Sequence, residues 1–328
     1  MKSIRFEKVD NFIIFGGGEL IVDICSILKR QNKQIVVLTS KQQSEDLVFK
    51  NIYSLKDYLK KYKIKFKVLK NINNLNKFNF INKNSIGISN SCRWIFKKRD
   101  IKLFKNRLIN IHYSNLPSFR GAGGLSWNIL TNNFISGTTI HLIDEKIDDG
   151  KYLIKKSFKF PLQIQKSLKK MQKYSIKYQK KIVKKFLLDL LREKSFKNQN
   201  IIKKNSFYWP KLDTKNNAWI NWSWDSKEIV SFINSFSDPY LGAATTINNK
   251  IIRLKDAKLA NSNIKFHPYQ NGLIFRKVKN KIFVASKNGG ISTDISHIKN
   301  KKNYLGRRLF TSNKQLENSF QNSYKKTK

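Results

Sequence analysis

An α/β domain with a largely parallel sheet, followed by a smaller β-rich domain, is the fold class this sequence predicts. Three observations predict it: short apolar runs alternate with helical periodicity early in the chain, short alternating runs replace them late in it, and a polar stretch lies between. The 328 residues suit roughly two domains. A hydrophobic fraction of 40%, an aromatic fraction of 12% and only 5 Pro exclude wholesale disorder.

The first strand is expected at Phe12 to Phe15, and beyond Gly16-Gly17-Gly18 a helix from Glu19 to Arg30 carries Leu20, Ile24, Ile27 and Leu28 on one side. Further strands are expected at Gln34 to Thr39, Lys65 to Leu69, Ser85 to Ser89 and Arg107 to His112, with a helix such as Leu55 to Tyr62 between. Such alternation places a ligand crevice at the carboxyl ends of the strands. Thr138 to Ile143 forms another strand pattern, running on to Asp148-Asp149-Gly150. Apolar positions at steps of three, four and seven from Leu162 to Lys194 predict one or two amphipathic helices, whose apolar side belongs to the core. Beyond them, Lys250 to Leu254, Gly272 to Val278 and Lys281 to Ala285 read as strands broken by Asn248-Asn249, Asn280 and Gly289-Gly290. The expected division is a first domain over 1–195, a linker over 196–215, a β-rich domain over 216–312 and a frayed polar tail over 313–328.

Cys25 and Cys92 make no disulfide framework, and no Cys/His cluster stands at metal-ligand spacing, so a metal is not expected. A reducing, cytoplasmic setting fits. The most apolar early stretch, Asn11 to Leu28, contains Glu19 and Asp23 and ends in no small-residue cleavage site, so neither secretion nor membrane spanning is expected. The formal net charge of +45 suits a polyanionic partner. Its lysines, however, are spread along almost the whole chain among Asn and Ile, the bias that AT-rich coding imposes regardless of function. Charge alone therefore assigns no partner. The triple glycine has Ile21 where a dinucleotide fingerprint needs a third glycine, so a tight strand-to-helix turn is the expected reason for it.

The informative region runs from Leu108 to Gly150. Asn110 and His112 stand two apart on a strand and so share one face, giving an amide donor and a titratable imidazole side by side. Ser114, Leu116, Pro117, Arg120 and Gly121 follow in a loop with close backbone approach and a fixed cation. Asp148 and Asp149 are the carboxylates that compete to serve the imidazole. His141 reads as a satisfied structural histidine, and His267 and His297 have no acidic or thiol companions nearby. Cys92 reads as a packing residue and not a nucleophile.

The run Asn110-x-His112, Leu116-Pro117, Arg120-Gly121, Trp127, Gly137-x-Thr139 and Asp148-x-Gly150 resembles the catalytic domain of 10-formyltetrahydrofolate-dependent formyltransferases over about residues 11 to 195. Trp219 to Trp224, Asp238-Pro239-Tyr240 and Gly242-Ala243 are similar to the small barrel-like C-terminal domain of the methionyl-tRNA and amino-sugar branches. The resemblance implies a Rossmann-like first domain and transfer of a formyl group from 10-formyltetrahydrofolate to a primary amine. It implies that Asn110 donates to the oxyanion, that His112 donates too or relays the amine's proton, and that Asp148 orients His112 and takes up the proton. The D-x-G pattern selects Asp148 over Asp149. Folate contacts are expected from Asn90, Cys92, Trp94 and Ile95 and from Ile143, Asp144 and Ile147, and acceptor contacts from Ser114, Leu116, Pro117, Arg120 and Gly121.

Two departures bear on the acceptor. The loop after Arg120-Gly121 reads AGGLSW, where the methionyl-tRNA branch usually has Ala-Pro, and Thr39 to Phe49 lacks that branch's basic insertion. A small amine such as a nucleotide-linked amino sugar is therefore the favoured acceptor, with Met-tRNA the alternative. A catalytically silent nucleic-acid-binding protein on this fold is the reading from a different class. It requires basic residues gathered in one patch with aromatics interleaved, and the scattered lysines do not supply that.

Overall fold

A computed structural model describes residues 3–200, 206–260, 264–295, 298 and 304–321. The chain forms two compact units. The first comprises Met1–Gly121, Ser136–Phe158 and Tyr174–Tyr208, and the second Ala122–Ile135, Lys159–Lys173 and Trp209–Lys328.

The first unit is built on a seven-stranded sheet. Its strands are β1 (Asn11–Gly16), β2 (Gln34–Ser40), β3 (Lys65–Leu69), β4 (Ser85–Asn90), β5 (Leu108–His112), β6 (Ile135–Leu142) and β7 (Tyr152–Lys159). They lie in the order β7-β6-β5-β4-β1-β2-β3. Strands β3, β2, β1, β4 and β5 pair in parallel, and β6 joins β5 antiparallel. The order reverses between β1 and β4, so the crevice of a doubly wound sheet opens at the carboxyl ends of those two strands.

Sequence explains why this sheet has two covered faces. Along β1, Phe12 and Ile14 enter one apolar cluster while Ile13 and Phe15 enter another. A strand that alternates between two cores reads as a continuous apolar run. The first cluster takes α1 (Glu19–Arg30) through Leu20, Ile21, Ile24 and Leu28, and α3 (Leu168–Leu191) through Val183, Phe186, Leu187 and Leu190. The intervening helix α2 (Leu55–Lys61) starts at Ser54, whose hydroxyl accepts from the Asp57 amide at 3.3 Å. Val36, Leu38, Phe96, Phe104 and Leu108 belong to the second cluster.

At the switch point, a side chain on Gly16 would run into the Asn90 carbonyl, and its φ of +117° already disfavours one. Gly16 therefore allows the ends of β1 and β4 to pack closely.

The second unit holds a five-stranded antiparallel sheet of β8 (Ala243–Ile247), β9 (Lys250–Leu259), β10 (Ile274–Val278), β11 (Lys281–Ser286) and β12 (Gly289–Asp294), in the order β8-β9-β12-β11-β10. Helix α4 (Ser226–Ser235) buries Ile229, Val230 and Ile233 in the same core as Leu254, Val284 and Ile291.

Three expectations need correction. Gly289-Gly290 opens β12 instead of breaking a strand, because Gly290 pairs with Ala285 where the Phe275 ring and the Val284 carbonyl crowd the backbone. The polar tail contains a helix, α5 (Asn313–Phe320), which Ser312 and Gln315 start with a reciprocal capping box. Part of the expected linker is paired strand, Phe196–Lys197 with Ser3–Ile4. No helix among the described residues is long and apolar enough to cross a membrane.

Candidate active site

Strand β5 divides its side chains between the two faces. Ile109 and Ile111 enter the first cluster and Leu108 the second, so Asn110 and His112 stand on the face of Leu108. Antiparallel pairing then sets His141 of β6 directly opposite Asn110, and Thr139 opposite His112. One sheet face therefore presents an amide and two imidazoles at the end of β5.

Asp148 reaches this group from the loop between β6 and β7, with a left-handed φ of +50°. It sits six residues past the end of β6, so a loop conformation and not a strand end aims it. Gly150 makes the loop possible: a Cβ there would overlap the Leu142 carbonyl at the end of β6. The Gly121 amide donates to Asp148 Oδ2 at 2.8 Å. On the other carboxylate oxygen, Asp148 Oδ1 lies 3.4 Å from Asn110 Nδ2, 3.5 Å from His112 Nδ1 and 3.7 Å from His141 Nε2.

The His112 and Asp148 side chains are only 13% and 11% exposed. Burial alone would raise the Asp148 carboxyl, but the His112 imidazole, with the Gly121 amide beside it, outweighs burial and holds the carboxyl well below the usual carboxylate range. His112 Nε2 lies 2.9 Å from the Phe119 carbonyl, so both its ring nitrogens face acceptors.

Asp149 is turned elsewhere, 3.7 Å from Arg120 Nη1. Arg120 also grips the Ile147 carbonyl through Nε at 3.1 Å and Nη2 at 2.6 Å. This clamp ties the 120–121 segment to the loop that carries Asp148. Ser114 and Leu116 are buried and brace the loop itself, Ser114 Oγ donating to the Phe119 carbonyl at 2.6 Å and the Leu116 amide to Thr139 Oγ1 at 3.3 Å. Pro117 accepts from the Phe207 amide at 3.3 Å.

Cys92, Trp94 and Ile143 pack on the same apolar cluster, the one on the Asn110 face of the sheet, and Ile95 is half exposed. The Asn90 side chain donates to the Gly17 carbonyl at 3.0 Å and accepts from the Tyr113 hydroxyl at 2.7 Å. Trp94 Nε1 donates to the Lys70 carbonyl at 3.3 Å, and Asp144 caps the Lys146 amide at 2.9 Å. Burial pushes the Cys92 thiol up to about 11, in keeping with a packing role. His267 Nδ1 accepts from the Tyr269 amide at 3.2 Å in a local turn, while His297 lies outside the described residues. Among the described residues, no group of His, Cys, Asp and Glu could hold a metal ion.

His141 is the member of this group that reading the sequence assigned to structure. The signal that finds it is the cross-strand register with Asn110, which depends on knowing that β6 runs antiparallel to β5.

The Formyl transferase family model matches residues 11–185, and the model for the Formyl transferase C-terminal domain matches residues 213–314. The chain belongs to the formyl transferase family. Its relatives include the bifunctional polymyxin resistance protein ArnA of Wigglesworthia glossinidia brevipalpis, 28% identical over 259 residues, covering 77% of this chain and 38% of that protein. Another is the methionyl-tRNA formyltransferase of Clostridium tetani, 28% identical over 195 residues, covering 60% of each. The chain thus spans less than two thirds of the length of either relative.

Among solved structures, WlaRD, a sugar 3N-formyl transferase crystallised with dTDP and 5-N-formyl-THF, shares the fold with a TM-score of 0.64 at 24% identity, covering 87% of this chain and 97% of that one. The N-formyltransferase from Helicobacter canadensis, in complex with folinic acid and dTDP-3-aminofucose, gives 0.65 at 21% identity, with 87% and 98% covered.

Proposed function

We propose that this member of the formyl transferase family moves a formyl group from 10-formyltetrahydrofolate to a primary amine. The observation that carries the reading is the convergence of Asn110, His112 and Asp148 at the end of β5. A neutral amine attacks the formyl carbon, the new N–C bond forms as the carbonyl oxygen becomes an oxyanion, and the bond to N10 of the folate then breaks. N10 leaves with a proton.

Asn110 and His112 serve as oxyanion donors. Preorganised donors of this kind contribute about 3 kcal/mol each. Asp148 keeps His112 aligned. A carboxylate held this far toward its charged form is a poor resting place for a proton, so it passes the amine's proton on through water to the departing N10 instead of retaining it. The apolar wall of Cys92, Trp94 and Ile143 receives the folate's pterin, with backbone groups of the 143–147 loop at its edge.

A nucleotide-linked amino sugar is the favoured acceptor. After β2 the chain makes a four-residue helix, Lys41–Ser44, and a short hairpin of Leu47–Val48 with Tyr53–Ser54, so the segment that lacks a basic insertion is closed and compact. Gln43 ties it to the Ser91 carbonyl at 2.8 Å. Similarity to methionyl-tRNA formyltransferases of several bacteria favours Met-tRNA as the second reading. The test is an acceptor screen with 10-formyltetrahydrofolate, comparing amino-sugar nucleotides with Met-tRNA. Preferential formylation of a sugar amine supports the first reading, and formylation of Met-tRNA alone replaces it. A protein that binds tRNA tightly yet never deformylates the folate, whichever amine is supplied, is a silent binder.

A further inference from the structure

We infer that His141 is a positioning residue: it holds the side-chain amide of Asn110 with its donor edge turned to the reacting carbonyl oxygen. The inference rests on the formyl-transfer reading for its consequence, but on the structure of the site for its geometry.

His141 is 2% exposed and directly opposite Asn110 on the neighbouring strand. Its Nδ1 lies 2.8 Å from the Leu142 carbonyl oxygen, a group that only accepts. The ring hydrogen therefore belongs on Nδ1, and Nε2 presents a lone pair. That lone pair faces Asn110 Nδ2 at 3.1 Å. The other acceptor near Asn110 Nδ2 is Asp148 Oδ1 at 3.4 Å.

An asparagine amide can turn over and exchange its oxygen for its nitrogen, which in an oxyanion site would replace attraction by repulsion. Here the turned amide would set its oxygen against a lone pair and a carboxylate together. The two bonds of Asn110 are also unequal. The 3.1 Å bond to His141 is ordinary, whereas the one to Asp148 is near the limit of a hydrogen bond. The hydrogen held weakly by Asp148 is the one an incoming formyl oxygen takes, and the hydrogen on His141 keeps the amide plane while it does so. His141 is too deeply buried for water to replace it.

The test compares His141→Leu, which removes the acceptor, with His141→Gln, which returns one through Oε1, alone and with Asn110→Ala. The expected result is a fall in kcat of about 10- to 100-fold in His141→Leu, since a misdirected oxyanion donor loses part of its effect. KM for the folate should stay within about twofold, because no folate contact is lost. His141→Gln should recover most of the rate, and His141→Leu should cost nothing further in the Asn110→Ala background. Equal losses in both backgrounds would overturn the proposal, as would failure of the Gln variant to recover in a protein that melts normally. Nitrogen NMR of the unmodified protein provides a readout independent of turnover: His141 should carry its hydrogen on Nδ1, and the Asn110 amide signals should move in His141→Leu. A hydrogen found on Nε2 would refute the pairing. The expected spectrum in a protein that formylates no amine would instead refute formyl transfer and leave the pairing in place.

Discussion

Replacing Asp148 by Asn changes one charge and almost no volume, at a carboxylate whose two oxygens do different work. Oδ2 accepts from the Gly121 amide at 2.8 Å, a bond the new amide oxygen can keep. The other position then presents NH2 to His112 Nδ1, 3.5 Å away, and the ring loses the acceptor it faced. At that 3.5 Å separation and an effective dielectric of about 20, the attraction between carboxylate and imidazolium is about 5 kcal/mol. Desolvation offsets much of it, and the net effect of a charge-assisted hydrogen bond is about 1.5–3 kcal/mol. Turnover should therefore fall by about 10- to 150-fold. KM for the folate should barely change. The assay follows release of tetrahydrofolate with the acceptor found in the screen. Turnover within about twofold of the unmodified protein would refute the role of Asp148. The same variant has a pH signature. A carboxyl held below its ordinary value stabilises the fold fully above the unfolded value and ceases to as pH falls through the folded one. The difference in urea midpoint between Asn variant and parent should narrow as pH drops below about 4, and a difference that grows there would contradict the assignment.

Asn110→Ala should lower kcat by about 10²- to 10³-fold with folate binding retained, measured by kinetics and by folate titration. Gly150→Ala places a methyl against the Leu142 carbonyl and must shift the loop carrying Asp148. Since about 1 Å of misplacement costs about 100-fold, its kcat should fall on that scale although the altered residue touches no substrate, and unchanged kinetics would show the loop to be tolerant. Cys92, its thiol raised to about 11 by burial, should react with an alkylating reagent at pH 8 far more slowly in the native protein than in urea, as followed by mass spectrometry.

Much of the architecture follows from local pattern. The helix over Glu19–Arg30 was legible to the residue because its apolar side recurs at helical spacing, and the buried strands because runs such as Phe12 to Phe15 have no polar side. Asn110 and His112 were legible for the same reason, since a spacing of two on a strand is itself a statement about faces. Local signals were present but outweighed in two places: the Ser312-x-x-Gln315 capping box lay inside a polar stretch, and Gly289-Gly290 looked like a break.

The sequence by itself determined the early alternation of strands and helices, the change to short β runs later in the chain, and the presence of an amide, an imidazole and a carboxylate in one segment. These depend on neighbours in the chain. Tertiary structure decided the rest: that His141 stands opposite Asn110, how the loop aims Asp148 at His112, and that Cys92, Trp94 and Ile143 pack against one apolar cluster. Each of those results from strand register, from a left-handed backbone angle in a loop, or from packing across a sheet. Such relations arise only when distant segments are brought together, because no local periodicity encodes them.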